Sequence, residues 1–239
     1  MTAETSITLI YPDSLGDTLD AVNAVLFENL SLSDDERAAA AAWIANRPGL
    51  PGSYAGMFAP TKYDYAFGAL TFTGETIVSH AGAGHILSEE ACYALSRLVV
   101  DSLEVREALK RALRGIFQRL DQAEVQGIFS GVHCCGMCTV ALWRHFSASG
   151  VREDQRRLEH GLAALNRARD GKGRWRRFPY HYTLLALSEI DLPAAREEIC
   201  YAAKGVESAL RRLIKNEMDD DNKYSWRLRV LFQRVLEKC

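Results

Sequence analysis

The sequence has 239 residues, of which 48% are hydrophobic and 25% charged, and these proportions exclude a disordered or low-complexity chain. Its 29 basic and 31 acidic residues give a net charge of −2 at pH 7, which argues against a nucleic-acid-binding protein. No apolar run approaches the roughly 18 residues of a membrane-spanning helix. The first residues lack the basic start and apolar stretch of a secretory signal, so we expect a cytoplasmic protein.

The charge is unevenly distributed along the chain. The first 120 residues hold 9 lysines and arginines against 15 acidic residues, whereas the remainder holds 20 against 16. An acidic and a basic half indicate either an interdomain contact, a self-assembly surface or an anion site, or simply solvated helix faces. We expect helical halves at 1–125 and 126–239 within one continuous domain.

Apolar residues recur with helical spacing along most of the chain. Ser33 and Glu36 have the spacing of a capping box, and Pro179 and Pro193 suit first-turn positions. The expected helices are 17–30, 33–46, one that opens at 88, and 102–121, 135–148, 153–169, 179–189, 194–216 and 224–238. Extended structure is expected at 6–11 and in a hairpin over 70–78 that turns at Gly74. The predicted fold is mainly all-α, built from paired helices.

One segment of the first half recurs in the second half with identical spacing. Residues 40–54 and 161–175 align at an offset of 121 residues. In both, a small residue lets a helix pack closely, an apolar pair faces the core, and a glycine turns the chain so that an aromatic residue returns over the helix end. The matching positions are Ala40, Trp43, Ile44, Pro48, Gly52 and Tyr54, and Gly161, Ala164, Leu165, Arg169, Gly173 and Trp175.

This spacing resembles the QW-type repeat of the terpenoid-cyclase and protein-prenyltransferase superfamily. In that family a small residue, an aromatic, an aliphatic, a Gln and a Gly-x-Trp recur at this interval. The Gln position here holds Pro48 in one copy and Arg169 in the other, and Tyr54 takes the Trp position of the first copy. The segment 178–188 also resembles the inner helix of a prenyltransferase hairpin.

The resemblance implies an α/α toroid, in which helical hairpins surround a cavity for a hydrophobic, isoprenoid-like small molecule. A complete toroid is longer than this chain, so the resemblance further implies a partial barrel or a cavity completed in a homo-oligomer. The alternative is a HEAT-like α-solenoid, which also consists of short paired helices. Such a solenoid would serve as a non-enzymatic scaffold for protein partners.

Three of the six cysteines fall in one short segment, as Cys134, Cys135 and Cys138 beside His133. Without an export signal, we expect no disulfide framework. Cys135 and Cys138 lie on one face where a helix begins, and a helix N-terminus lowers the pKa of a thiol. Three interpretations stay open. The segment is a metal site, with zinc as the cofactor, or a redox pair, or a set of small side chains packed beside a glycine. Further metal donors would come from His181, His85 or Cys200.

The resemblance bears on the same segment, because protein prenyltransferases bind catalytic zinc through an Asp and a Cys at one helix start and a His in a later hairpin. By that resemblance Cys138 takes the place of the Cys and His181 that of the His, and Cys135 joins them as a candidate catalytic residue. The sequence departs from the pattern at two points. Gly136 stands where the Asp is expected, and the best helix register puts Tyr182 at the His position.

A basic loop at 167–177 carries six positive residues and one acid. Its two glycines allow backbone amides to approach an anion, and guanidinium groups suit phosphate or carboxylate. Within the resemblance, this charge would hold a diphosphate and the aromatic residues would line the cavity. The candidate ligand-binding residues are Arg169, Arg174, Trp175, Arg176, Arg177, Tyr180 and Tyr182. The alternative is a solvated turn beside an aromatic core. Nucleic acid is disfavoured by the net charge.

An acidic segment precedes the last predicted helix. Residues 217–220 resemble the acidic motif of class II terpenoid cyclases, with Glu217 in place of the first Asp. The alternative is a solvated helix end.

Overall fold

A computed structural model describes residues 7–127, 130–215 and 222–239. The chain divides into two compact units. Unit 1 takes the residues up to Ala69 together with Ile77–Phe117, and unit 2 takes Leu70–Thr76 together with Gln118–Cys239. The acidic segment 217–220 lies outside the described residues. Within these residues, no helix combines the length and apolar character that crossing a membrane requires.

Unit 1 is built on helices that pack around α4. These are α1 (Leu15–Glu28), α2 (Asp34–Ala45), α3 (Lys62–Phe67), α4 (His80–Leu98) and the start of α5 (Leu103–Val125). Helices α1, α2 and α3 all contact α4, and buried apolar residues such as Leu15, Ile44 and Leu95 fill the space between them. The predicted capping box of Ser33 and Glu36 is confirmed.

Two features of unit 1 differ from the sequence prediction. Helix α4 begins at His80 rather than at Ser88, because the Ser79 hydroxyl accepts a hydrogen bond from Gly82 N and caps the helix earlier. The short helix α3 was not expected. It forms because Thr61 and Asp64 make a capping box at its start.

The expected hairpin is present as a small two-stranded sheet. Strand β1 (Ala69–Leu70) pairs with β2 (Thr76–Ile77), and the chain turns at Gly74, whose φ of 91° favours glycine. The prediction of an extended segment at 6–11 is wrong for the described residues 7–11, which form no strand. Helices therefore dominate the described residues, and the all-α prediction is confirmed.

Unit 2 contains the cysteine-rich segment and the helices that follow it. They are α6 (Gly136–Ser149), α7 (Arg152–Arg167), α8 (Tyr180–Glu189), α9 (Pro193–Lys215) and α10 (Lys223–Lys238). Helix α6 packs on α7 and α8, while α9 packs on α7, α8 and α10. Pro193 is the first residue of α9, as predicted, whereas Pro179 lies one position earlier than expected, as the N-cap of α8.

The two copies of the internal repeat end their helices in the same way. Arg47 N donates to Ile44 O at 3.1 Å in unit 1, and Ala168 N donates to Leu165 O at 2.9 Å in unit 2. Both pairs are related by the offset of 121 residues. So are the glycines that turn the chain, Gly52 at φ 90° and Gly173 at φ 83°. The structural equivalence that the spacing predicted is confirmed up to the end of the helix. Beyond it the two loops differ, because Pro48 pairs with Phe58 whereas Arg169 pairs with Trp175, which the alignment had matched to Tyr54.

The equivalence also reaches beyond the aligned segments. Helices α1 and α6 are both 14 residues long, and their first and last residues correspond at the same offset of 121. Each ends in a residue of left-handed conformation, Asn29 and Gly150, which again correspond. The repeat therefore includes α1 and α6.

Candidate metal centre

The start of α6 fixes the backbone of the cysteine-rich segment. Cys135 is the N-cap residue, and its sulfur accepts a hydrogen bond from Cys138 N at 3.4 Å. The Thr139 hydroxyl accepts from His133 N at 2.9 Å and donates to Cys135 O at 2.7 Å. These bonds connect the residues on both sides of Cys134 to the first turn of the helix.

Thr139 is a residue that the sequence analysis missed. The corresponding residue in unit 1, Thr18, binds its helix start in the same way, accepting from Tyr11 N at 2.9 Å and donating to Ser14 O at 2.9 Å. Thr18 and Thr139 are 121 residues apart. Extending the repeat alignment toward its N-terminal side would have identified both.

Three donor atoms meet at this helix start. A ring nitrogen of His133 and the sulfurs of Cys134 and Cys138 all lie within 4.8 Å of one another, and His133 Nδ1 lies 3.1 Å from Cys134 Sγ. Zinc binds sulfur at about 2.3 Å and histidine nitrogen at about 2.0 Å, so small side-chain rotations suffice to bring the three donors to one ion. Cys138 is buried, His133 half-buried and Cys134 exposed, which leaves the group open to solvent on one side.

The environment of Cys138 raises the pKa of its thiol far above the ordinary value. Hydrogen bonding to the Cys134 sulfur is the largest cause, followed by burial and by repulsion from the charged forms of Cys134 and Cys135. The expectation that the helix start lowers the pKa is therefore wrong for Cys138. A cation that binds here must displace the thiol proton, and the isolated thiol is a poor nucleophile near neutral pH.

The other predicted donors in unit 2 lie elsewhere. His181, on α8, packs its ring against Phe232 with centroids 5.7 Å apart, and burial lowers its pKa. Cys200 forms a disulfide with Cys239, which corrects the expectation that disulfides are absent and removes Cys200 as a free thiol donor. In the described residues, the three-donor group contains neither of these side chains nor Cys135.

His85, the further candidate donor from the sequence, belongs to unit 1. Its ring lies against Tyr54, with centroids 3.8 Å apart.

A close backbone contact joins the basic loop to the start of α6. A Cβ atom on Gly136 would lie only 1.9 Å from Arg177 O, so only glycine fits at the first position of the helix. Arg177 itself adopts a φ of 68°, a strained value for a residue with a side chain. The Arg176 and Arg177 side chains are exposed. The contact brings the end of the basic loop beside the cysteine-rich segment.

Two of the predicted ligand-binding residues, Arg169 and Trp175, bind a buried carboxylate within unit 2. Arg169 forms a salt bridge with buried Glu198 at 2.9 Å and lies over the ring of Tyr201. The indole of Trp175, which is 4% exposed, donates to the same Glu198 at 2.7 Å. Both side chains thus satisfy a buried carboxylate, which would otherwise be costly to bury. Glu198 lies 23 residues beyond Trp175, and the local sequence pattern did not indicate it.

The remaining predicted ligand-binding residues surround the start of α8. Tyr182 is fully buried, and its backbone N donates to the Glu75 carboxylate at 2.9 Å. Arg174 lies over the ring of half-buried Tyr180 at 4.5 Å, a cation–π contact. Tyr182 is therefore a core residue, whereas Arg174 and Tyr180 form a partly accessible pair.

No family profile, curated protein or solved structure matches the chain. The relation to terpenoid cyclases and prenyltransferases thus stays a prediction from the repeat spacing.

Proposed function

We propose that the start of α6 is a metal centre in which His133, Cys134 and Cys138 bind a zinc ion. The observation that carries the proposal is the grouping of these donor atoms within 4.8 Å of one another. Imidazole nitrogen and thiolate sulfur are the donors that zinc prefers in proteins. The hydrogen bonds of Thr139 support the proposal further, because they hold His133 and Cys135 to the same helix turn.

The exposure of Cys134 favours a reactive or ligand-binding centre over a closed structural one. Structural zinc sites have four protein ligands, whereas catalytic sites have three and keep one position for water or substrate. Cys134 is exposed, so the proposed centre is accessible from solvent. When bound, the ion would act as a Lewis acid and keep both sulfurs as thiolates.

The proposed ligand of this centre is a hydrophobic small molecule with an anionic group, of isoprenoid type in the resemblance to prenyltransferases. Exposed Arg176 and Arg177 support the anionic part, since the Arg177 backbone contacts Gly136 next to the cysteines. Double substitution of both arginines by alanine should weaken binding of a prenyl diphosphate. An unchanged affinity would remove these residues from the proposal.

Metal analysis of purified protein tests the centre itself. We expect one zinc ion per chain in the wild type and loss of the ion in Cys134→Ser, Cys138→Ser and His133→Ala. His160→Ala is the matched control for the histidine, since His160 is exposed on α7. Replacing zinc with cobalt should give thiolate-to-metal absorption bands that Cys138→Ser abolishes.

Two further variants determine the remaining donors. Cys135→Ser preserves the helix cap, because serine is a good N-cap residue, so metal loss in this variant would make Cys135 a fourth ligand. His85→Ala tests the donor that the sequence put forward from unit 1. A wild type without metal, together with unchanged stability of all three cysteine variants, would overturn the centre and favour the helical-repeat scaffold.

A further inference from the structure

A cleft in unit 2 lies apart from the cysteine-rich segment. It has a volume of about 510 Å³, within the range of small-molecule sites. The turn between α8 and α9, the first turns of α9 and the end of α10 form its walls. Ile190 and Ile199, which are 5% and 1% exposed, make the floor apolar.

The charged residues of the cleft are of both signs. Asp191, Arg196 and Glu237 line it and are exposed, and within the described part of the chain none of the three takes part in an ion pair. Lys238 is already engaged, because its ammonium group donates to Ser188 O. The cleft thus offers one guanidinium for an anionic group and two carboxylates for a cationic one.

A disulfide holds one wall of this cleft in place. Cys200 follows Ile199 on α9, and Cys239 follows Lys238 at the end of α10, so the bond joins two walls directly beside the cleft. Val235 is the last buried residue of α10, and Glu237, Lys238 and Cys239 are exposed. Beyond Val235, the disulfide and the hydrogen bond of Lys238 to Ser188 O tie the end of α10 to the neighbouring helices.

We propose that this cleft binds a zwitterionic small molecule with an apolar body, of the size of an aliphatic dipeptide, and that the Cys200–Cys239 disulfide keeps it competent to bind. Arg196 receives the carboxylate of the ligand, Asp191 and Glu237 receive its ammonium group, and the isoleucine floor receives its side chains. An exposed disulfide is accessible to a dithiol reductant. Reduction transfers two electrons and two protons from the dithiol, which becomes a disulfide, and leaves two free thiols on the protein.

Reduction weakens binding because it removes the covalent tie between the end of α10 and α9, so the last turn of α10 can fray. The ligand must then order Glu237 and its neighbours itself. Fixing the backbone of a single residue is enough to lower affinity about tenfold. The cleft would therefore bind its ligand under oxidising conditions and release it when a cellular dithiol reduces the bond.

Calorimetric titration with leucyl-leucine tests the proposal on the full chain. We expect saturable binding to the oxidised protein, and at least about tenfold weaker binding both after treatment with dithiothreitol and in Cys239→Ser. The Cys239→Ser variant leaves the cysteines of the metal centre unchanged, so its result does not depend on the proposed zinc site. Circular dichroism verifies that the reduced protein and the variant remain folded, and Cys200→Ser provides a second variant should Cys239→Ser unfold.

Charge recognition is tested separately. Arg196→Gln should weaken binding about tenfold or more, whereas Arg212→Gln, an exposed arginine farther along α9, should leave it unchanged. Leucyl-leucine that is acetylated and amidated lacks both charges. Its affinity for the wild type should be no higher than the affinity of unmodified leucyl-leucine for Arg196→Gln. Absence of binding to the oxidised wild type would overturn the site, and equal affinity of oxidised protein and Cys239→Ser would overturn the control by the disulfide.

Discussion

Helix α1 of unit 1 and helix α6 of unit 2 have equal length and equivalent positions in the repeat, yet the two helix starts differ in chemistry. Helix α1 is capped by Ser14 and receives the buried carboxylate of Asp64, which accepts from Ser14 Oγ, Leu15 N and Gly16 N. Helix α6 is capped by Cys135, and thiols and an imidazole gather there instead. The same backbone thus supports a purely structural carboxylate in one unit and a group of metal donors in the other.

The turn that follows the second helix of each repeat shows a related difference. Gly56 in unit 1 and Arg177 in unit 2 both lie in this loop and adopt left-handed backbone, with φ of 72° and 68°. They are not equivalent positions, because Pro48 pairs with Phe58 whereas Arg169 pairs with Trp175. Glycine adopts this conformation freely, whereas arginine adopts it at a cost of about 1–2 kcal/mol. Unit 2 therefore keeps a strained residue next to its cysteine-rich helix start, and strained backbone is often found at functional sites.

The largest expected effect concerns the carboxylate of unit 1. Asp64 is 1% exposed, and besides the bonds to the start of α1 it accepts from Thr61 N at 2.7 Å. Asp64→Ala leaves these buried donors without an acceptor, so we expect the free energy of unfolding in urea to fall by at least about 3 kcal/mol. Hydrogen exchange should show that the amides of α1 become less protected.

Two further variants test whether this loss of stability is specific to the helix start of unit 1. Asp64→Asn keeps the shape of the side chain but retains only one acceptor oxygen. It should lower the free energy of unfolding by less than Asp64→Ala does. Cys135→Ser at the equivalent helix start should change the free energy of unfolding by less than about 0.5 kcal/mol, because serine also caps helices. Equal losses at the two helix starts would contradict the distinction between a structural and a chemical cap.

A smaller effect, with opposite signs in the two units, is expected at the left-handed turn. Gly56→Ala should lower the free energy of unfolding by about 1 kcal/mol, since the new Cβ would make only an ordinary contact with Arg111 Nε at 3.8 Å and the backbone alone is strained. Arg177→Gly should raise it by about 0.5–1 kcal/mol, because the native strain is removed. Urea unfolding of both variants measures the difference.

Arg176→Gly is the control for the second variant. Arg176 is also exposed but does not adopt a positive φ, so glycine at this position should destabilise the protein slightly. A loss of stability in Arg177→Gly as well would show that the arginine side chain, and not the backbone conformation, determines the stability of this turn.

The sequence predicted the features that depend on neighbouring residues. The helix periodicity and the capping box at Ser33 act within one or two turns, and both are confirmed. The repeat spacing is confirmed for the end of the helix before each loop, but not for the loops themselves. The grouping of His133, Cys134 and Cys138 could also be anticipated, since these residues lie within six positions of one another.

Features that depend on distant residues were missed. Glu75 binds the start of α8 although it lies 107 residues from Tyr182, and nothing in the local pattern of either segment indicates the pair. The raised pKa of Cys138 follows from burial and from the position of the Cys134 sulfur, which only the folded chain determines. The disulfide of Cys200 likewise joins residues that are 39 positions apart.

The smallest expected effect is on the pH dependence of the free energy of unfolding. It concerns two histidines, one near the start of α4 and one near the start of α8. His80 in unit 1 is exposed, whereas His181 in unit 2 is half-buried against Phe232, and burial lowers the pKa of His181 despite the opposing charge of Glu75. Because the unfolded chain has a histidine pKa near 6.5, it binds more protons than the folded protein below that pH, so acidification favours unfolding. From pH 7 to pH 5, the free energy of unfolding should decrease less in His181→Gln than in the wild type, whereas His80→Gln should follow the wild type. Identical pH profiles for all three proteins would show that the interior of unit 2 accommodates the charged imidazole as readily as water does.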